Sequence, residues 1–261
     1  MDITVTPGRT AGPPPGRWPF LETVGWGILV VILSTVTQAM MLGAFALVDL
    51  YRRGWVSHLS PQYFVETALY ELKDGGVVFS TVIVSNLLCV AGMLLIVLIK
   101  GQPFKDYLAF HEVRLRTLFT WMGILVAFLI VVELAGELLN IDLGGDTMVA
   151  LFKTTHPAWL FWIAAVVAAP LFEEVMFRGL LFRGFQASFL GTGGTVVLTS
   201  VLWASMHLQY NLYGMGFIAA TGILFGTARA RTGSLLVPMA LHAGLNFSDL
   251  LLFTMNGAGS P

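Results

Sequence analysis

The sequence predicts an all-α fold, a polytopic transmembrane helical bundle of about seven helices. Three observations carry that expectation. Of 261 residues, 56% are hydrophobic and only 11% are charged, where soluble domains carry about 25% charged residues. Mean hydropathy is +0.80, which means more apolar surface than one water-soluble core of this length can hide. Seven segments approach the ~20 apolar residues needed to cross ~30 Å of hydrocarbon.

Residues 1–19 hold proline and glycine without helical periodicity and read as a disordered cytoplasmic tail. Ala44-Phe45-Ala46 mimics a signal-peptide cleavage site, but the apolar stretch from Val24 to Val48 is too long for a signal h-region. The predicted spans are 22–50, 76–99, 118–139, 158–180, 194–210, 213–229 and 234–254. The first two are uninterrupted apolar runs. The last four contain Glu, Arg, His and Asn, so function is expected among them. Between the first two spans, residues 51–75 mix aromatics with charges, as an interfacial loop with a short amphipathic helix does. The chain thus divides into the tail, an N-terminal membrane region at 20–154, a polar-helix region at 155–255 and a short tail at 256–261.

Alternating the loops places ten Lys and Arg on one side and four (Arg52, Arg53, Lys73 and Lys153) on the other. Positive residues favour the cytoplasmic side, so the protein is expected in the cell membrane with its amino terminus in the cytoplasm. A net charge of -1 lacks the basic face that phosphate backbones need, which excludes nucleic acid as a partner. Cys89 is alone, so no intrachain disulfide or four-cysteine zinc site is available, and it reads as packing. His58, His111 and His156 lie in loops or at a helix start and read as surface histidines. Nothing repeats at solenoid periods, and no inverted pair of broken helices suggests a transporter. Gly222-x-x-x-Gly226 reads as a helix contact.

The chemistry concentrates in three stretches. In residues 168–185, Glu173 and Glu174 lie inside an apolar helix, where each charge costs at least ~2.5 kcal/mol unless it finds a partner. Glu174 and Arg178 are four apart and share a face, which allows a local ion pair. Glu173 points ~100° away and is free to face something else. His207 follows Trp203 by one turn, and His242 and Asn246 are four apart on one face. Glu133 and Glu137 also fall inside a predicted span and have no motif partner.

Together, Glu173-Glu174-x-x-x-Arg178, Trp203-x-x-x-His207 and His242-x-x-x-Asn246 resemble the CPBP family of intramembrane proteases. That family includes type 2 CAAX prenyl endopeptidases and bacterial relatives linked to bacteriocin processing and self-immunity. The likeness covers about residues 155–255. Its second motif usually begins with Phe, where this sequence has Trp203. The resemblance implies a CAAX-type endopeptidase with Glu173, His207, His242 and Asn246 as catalytic residues, supported by Glu174 and Arg178. The expected partners are the lipid bilayer and a protein or peptide substrate. A prenylated substrate carboxyl terminus is implied by the resemblance alone.

Peptide hydrolysis needs an activated water and a stabilised oxyanion. Glu173 facing His207 is expected to hold the water, its carboxyl pKa raised by desolvation towards neutrality. His242 and Asn246 are expected to donate to the oxyanion. Glu173, His207 and His242 would alternatively form a zinc set. Because H-E-x-x-H is absent and Asn is a poor zinc ligand, the metal-free reading, with no cofactor, is preferred. At 1.5 Å per residue, His242 lies ~12 Å and His207 ~20 Å from the cytoplasmic ends of their spans, which puts the site within reach of that side. The competing functions are a non-proteolytic membrane scaffold or immunity protein and a proton-coupled transporter.

Overall fold

The computed structural model describes residues 19–54, 60–144 and 146–255; His58 and the two extreme tails lie outside them. The described residues are helical, with one isolated bridge between Gly144 and Tyr210. In chain order the helices are α1 (Phe20–Arg52), α2 (Pro61–Glu71), α3 (Gly75–Ile99), α4 (Phe104–Tyr107), α5 (Leu115–Leu139) and α6 (Asp146–Thr154). They continue with α7 (Trp159–Gln186), α8 (Gly191–Ser205), α9 (Leu212–Thr232) and α10 (Leu236–Met255).

Each of the seven predicted spans falls mainly on a helix, but five helices (α1, α3, α5, α7 and α10) are long and apolar enough to cross a membrane by length and composition. The difference lies in the glycine-rich pair α8 and α9. With 15 residues, α8 rises only ~22 Å, and the predicted continuation to residue 210 leaves the helix after Ser205. The 21 residues of α9 are long enough but not sufficiently apolar. These two helices pack closely instead. A Cβ on Gly222 would stand 2.9 Å from Ser200 Cβ, and one on Gly226 would stand 3.1 Å from Val196 Cγ1. The Gly222-x-x-x-Gly226 spacing is therefore a helix contact, as expected.

Local chemistry sets the helix ends. Asp74 caps α3 by accepting from Val77 N–H (3.1 Å), and Asn211 caps α9 by accepting from Gly214 N–H (2.9 Å). α9 stops at Gly233, whose φ of 66° is left-handed. The expected amphipathic segment between α1 and α3 is α2, capped by Ser60.

The connections define two ends of the bundle. At one end, the α3–α5, α7–α8 and α9–α10 connections meet: Leu235 N–H donates to Ala109 (2.8 Å) and Arg183 donates to the carbonyl of Asp106 (2.9 Å). Lys100, Arg114 and Arg231 lie here, so this is the basic end. At the other, Gly75 N–H donates to Thr154 Oγ1 (2.9 Å) and Asn211 Nδ2 donates to the carbonyl of Asp142 (2.8 Å). A central core around Phe177, Leu180, Phe225 and Leu241 holds the bundle together and includes buried Cys89. A second aromatic cluster fastens α6 to α3, α7 and α10. In it Phe161 meets Phe79 at 4.6 Å and Phe152 at 5.0 Å, both edge-on. His111 and His156 are exposed, as expected of surface histidines.

Candidate active site

Helix α7 carries the glutamate pair between two wide, π-type turns, Ala164–Ala168 and Val175–Leu181. The first has a cause in Pro170. In the wide register Ala169 N–H reaches back to the carbonyl of Ala164, so the next donor would be residue 170 reaching Ala165. Proline has no N–H. Asn246 on α10 supplies the missing donor, its Nδ2 lying 2.7 Å from the Ala165 carbonyl. Asn246 therefore fastens α10 to α7 with one amide proton and keeps the other. The second wide turn likewise takes an outside donor, Arg229 Nε to the carbonyl of Arg178 (3.0 Å).

Glu174 and Arg178 are completely buried and paired at 2.8 Å, as the spacing predicted. Arg178 also donates to the carbonyl of Gly222 (3.3 Å) and stacks over Trp203, its guanidinium carbon 4.6 Å from the ring centroid. Glu174 has a further partner not anticipated from sequence, His242, whose Nδ1 lies 2.9 Å from the same Oε1. A carboxylate only accepts, so this contact fixes the hydrogen on Nδ1 and leaves Nε2 to face outward.

Glu173 is half-buried on the neighbouring face, its Oε2 3.9 Å from His242 Nε2. That gap is too long for a direct hydrogen bond and short enough for one water beside the pair to touch both. The indole N–H of Trp203 donates to the same oxygen. Glu173 and His207, expected to hold a water between them, line the same cavity, and no hydrogen bond or ion pair joins them directly among the described residues. His207 stands beyond the end of α8, its Nδ1 2.9 Å from the carbonyl of Trp203 and its ring 5.3 Å from the Trp203 ring. The helix ends one turn earlier than predicted, which moves His207 to a connection and makes His242 the imidazole nearest Glu173.

These groups line one cavity of about 490 Å³. Glu173, His207, His242 and Asn246 all contribute to it, with Trp203, Tyr210 and Asp249 beside them. Apolar walls come from Met148, Phe161, Phe217 and Phe253. Its rim is built from the α5–α7 and α8–α9 connections and the last turns of α10, so it opens at the end of the bundle away from the basic connections. Among the described residues, no three His, Cys, Asp or Glu side chains are grouped so as to hold a metal ion. His207 and His242 are each held through Nδ1, which leaves Nε2 of both as the donor atoms of the suggested zinc set.

Residues 155–248 match the family model of type II CAAX prenyl endopeptidase Rce1-like proteins. The match supports membership of the CPBP family for this segment. It contains all six motif residues and leaves α1 to α6 outside the match. A curated Escherichia coli protein, described as an uncharacterized 24.3 kDa protein, is 33% identical over 92 residues, covering 34% of this chain and 42% of the relative. The match thus spans about two-fifths of that relative's length. No solved structure matches.

Sequence reasoning missed three contributors to the Rce1-like site. Trp203 was read only as an aromatic standing where the family usually has Phe, yet its N–H gives Glu173 a hydrogen bond that Phe lacks. Pro170, two residues before Phe172 in the motif helix, was the signal for a freed carbonyl. Asp249 follows Asn246 by three positions and His242 by seven, a spacing that places it on the same helix face.

Proposed function

We propose that this protein is an intramembrane endopeptidase that activates water with Glu173 and without a metal. The observation that carries the reading is the 3.9 Å approach of Glu173 Oε2 to His242 Nε2 on the wall of a single cavity. A water seated there donates one proton to Glu173 and the other to His242 Nε2, leaving a lone pair for the scissile carbonyl. As oxygen attacks, Glu173 takes the proton and then passes it to the departing amine. The second amide proton of Asn246 is donated to the oxyanion, a contribution of roughly 10²–10³ in rate. Glu174 and Arg178 act through His242: they fix its tautomer and orientation.

By the ten-to-four count of basic residues, the amino terminus and the basic end face the cytoplasm. The cavity then takes its substrate segment from the opposite side. The substrate is a membrane-associated protein or peptide, and a lipid modification on it is one variable of the assay.

The test is cleavage of candidate membrane peptides, prenylated and unprenylated, by the full chain in liposomes. Glu173→Gln should abolish turnover, and Trp203→Phe should slow it about tenfold, the loss of one hydrogen bond to a charged group. A membrane-permeant chelator should leave the rate unchanged. Equal cleavage by wild type and Glu173→Gln would overturn the proposal, and loss of activity with chelator, restored by zinc, would replace its metal-free form.

A further inference from the structure

Among the described residues, Asp249 is the one acid in the cavity wall that the mechanism leaves unused. It lies one residue past the segment matched to the Rce1-like family, on α10, exposed and lining the cavity. It makes no hydrogen bond or ion pair among the described residues. Glu133 of α5, unexplained by any motif, stands close enough for its charge to act on Asp249. Among the described residues, no Lys or Arg lines the cavity. Tyr210, on the α8–α9 connection, registers the same imbalance: burial pushes its phenol pKa up, and the charges of Asp249 and Glu173 push it further the same way.

We infer that Asp249 makes the outer part of the cavity a subsite for a Lys or Arg side chain of the substrate. Seven residues of helix separate Asp249 from His242, about 10 Å along the axis. An extended peptide covers that distance in about three residues. The selected cation therefore sits about three positions from the scissile bond, on the arm of the substrate that runs towards the cavity mouth. An acidic side chain, or a free carboxyl terminus, at that position would meet two like charges and no counter-ion. The apolar walls below take the intervening residues. The inference rests on the endopeptidase reading for its geometry, but its charge preference is a property of binding.

The experiment measures binding and cleavage separately, using the full chain in nanodiscs with empty discs subtracted. Fluorescent peptides differ only in Lys, Gln or Glu at the third residue to either side of the scissile bond. For one of the two arms, Lys should bind about fivefold more tightly than Gln, the upper range for an ion pair that keeps contact with water, and Glu should bind most weakly. Asp249→Lys should reverse the order. Equal affinities on both arms, or an order unchanged in Asp249→Lys, would overturn the inference. If the charge order holds and nothing is cut, the endopeptidase reading fails and the subsite stands. If the peptides are cut without charge preference, the subsite fails and the endopeptidase reading stands.

Discussion

Replacing Arg178 by Met tests the buried charge network behind the site. Arg178 and Glu174 are fully buried and 2.8 Å apart, and Arg178 also donates to the carbonyl of Gly222. Removing the cation leaves Glu174 with His242 alone in an apolar core. Breaking a buried pair from one side costs about 3–5 kcal/mol because the remaining charge is stranded. For a chain of this size that lowers the unfolding temperature by about 10 °C. Glu174→Gln made together with Arg178→Met removes the stranded charge and keeps an acceptor for His242. The double variant should cost only about 1–2 kcal/mol, the scale of lost neutral hydrogen bonds. The assay is thermal unfolding of the detergent-solubilised protein followed by tryptophan fluorescence. A double variant less stable than Arg178→Met alone would show that the pair is not the electrostatic unit described here.

Two other predictions address the ends of the bundle. Cys89 is the chain's one cysteine and is buried, so a single added thiol reports its own surroundings: Gln209→Cys at the cavity rim should react with an impermeant maleimide from outside intact cells, and labelling only after lysis would reverse the proposed orientation. Glu71 of α2 is buried near Asp49 and Asp74, and burial followed by those two charges raises its carboxyl pKa. Its folded pKa exceeds its unfolded one, so its contribution is complete below the unfolded value near 4.5 and is lost as pH rises through the folded value. Glu71→Gln should remove this part of the pH dependence of unfolding, and an unchanged profile would refute it.

The helices were legible because long apolar runs leave few alternatives, and the motif residues were legible because charge inside such runs is rare. Glu174 and Arg178 meet as their spacing requires. What spacing could not supply was contact between helices. Spacing did not show that Glu174 holds His242 at Nδ1 from another helix. It also did not show that α8 ends before His207 or that the Trp203 indole N–H reaches Glu173. A periodic pattern also assumes a regular helix. The wide turn before Pro170 breaks that assumption in α7.

The wide turns of α7 also separate the fastening of the helices from the direction of the glutamates. A π-type turn is an α-helix holding one residue more than its register needs. That residue is taken up within the turn itself, so the helix beyond it keeps its direction, with Glu173 on the cavity and Glu174 sealed behind. Deleting one residue from Ala164–Ala168 would close the wide turn whose Ala165 carbonyl Asn246 holds. Shortening the chain there acts on the anchor between α7 and α10 while both carboxylates go on facing as they do.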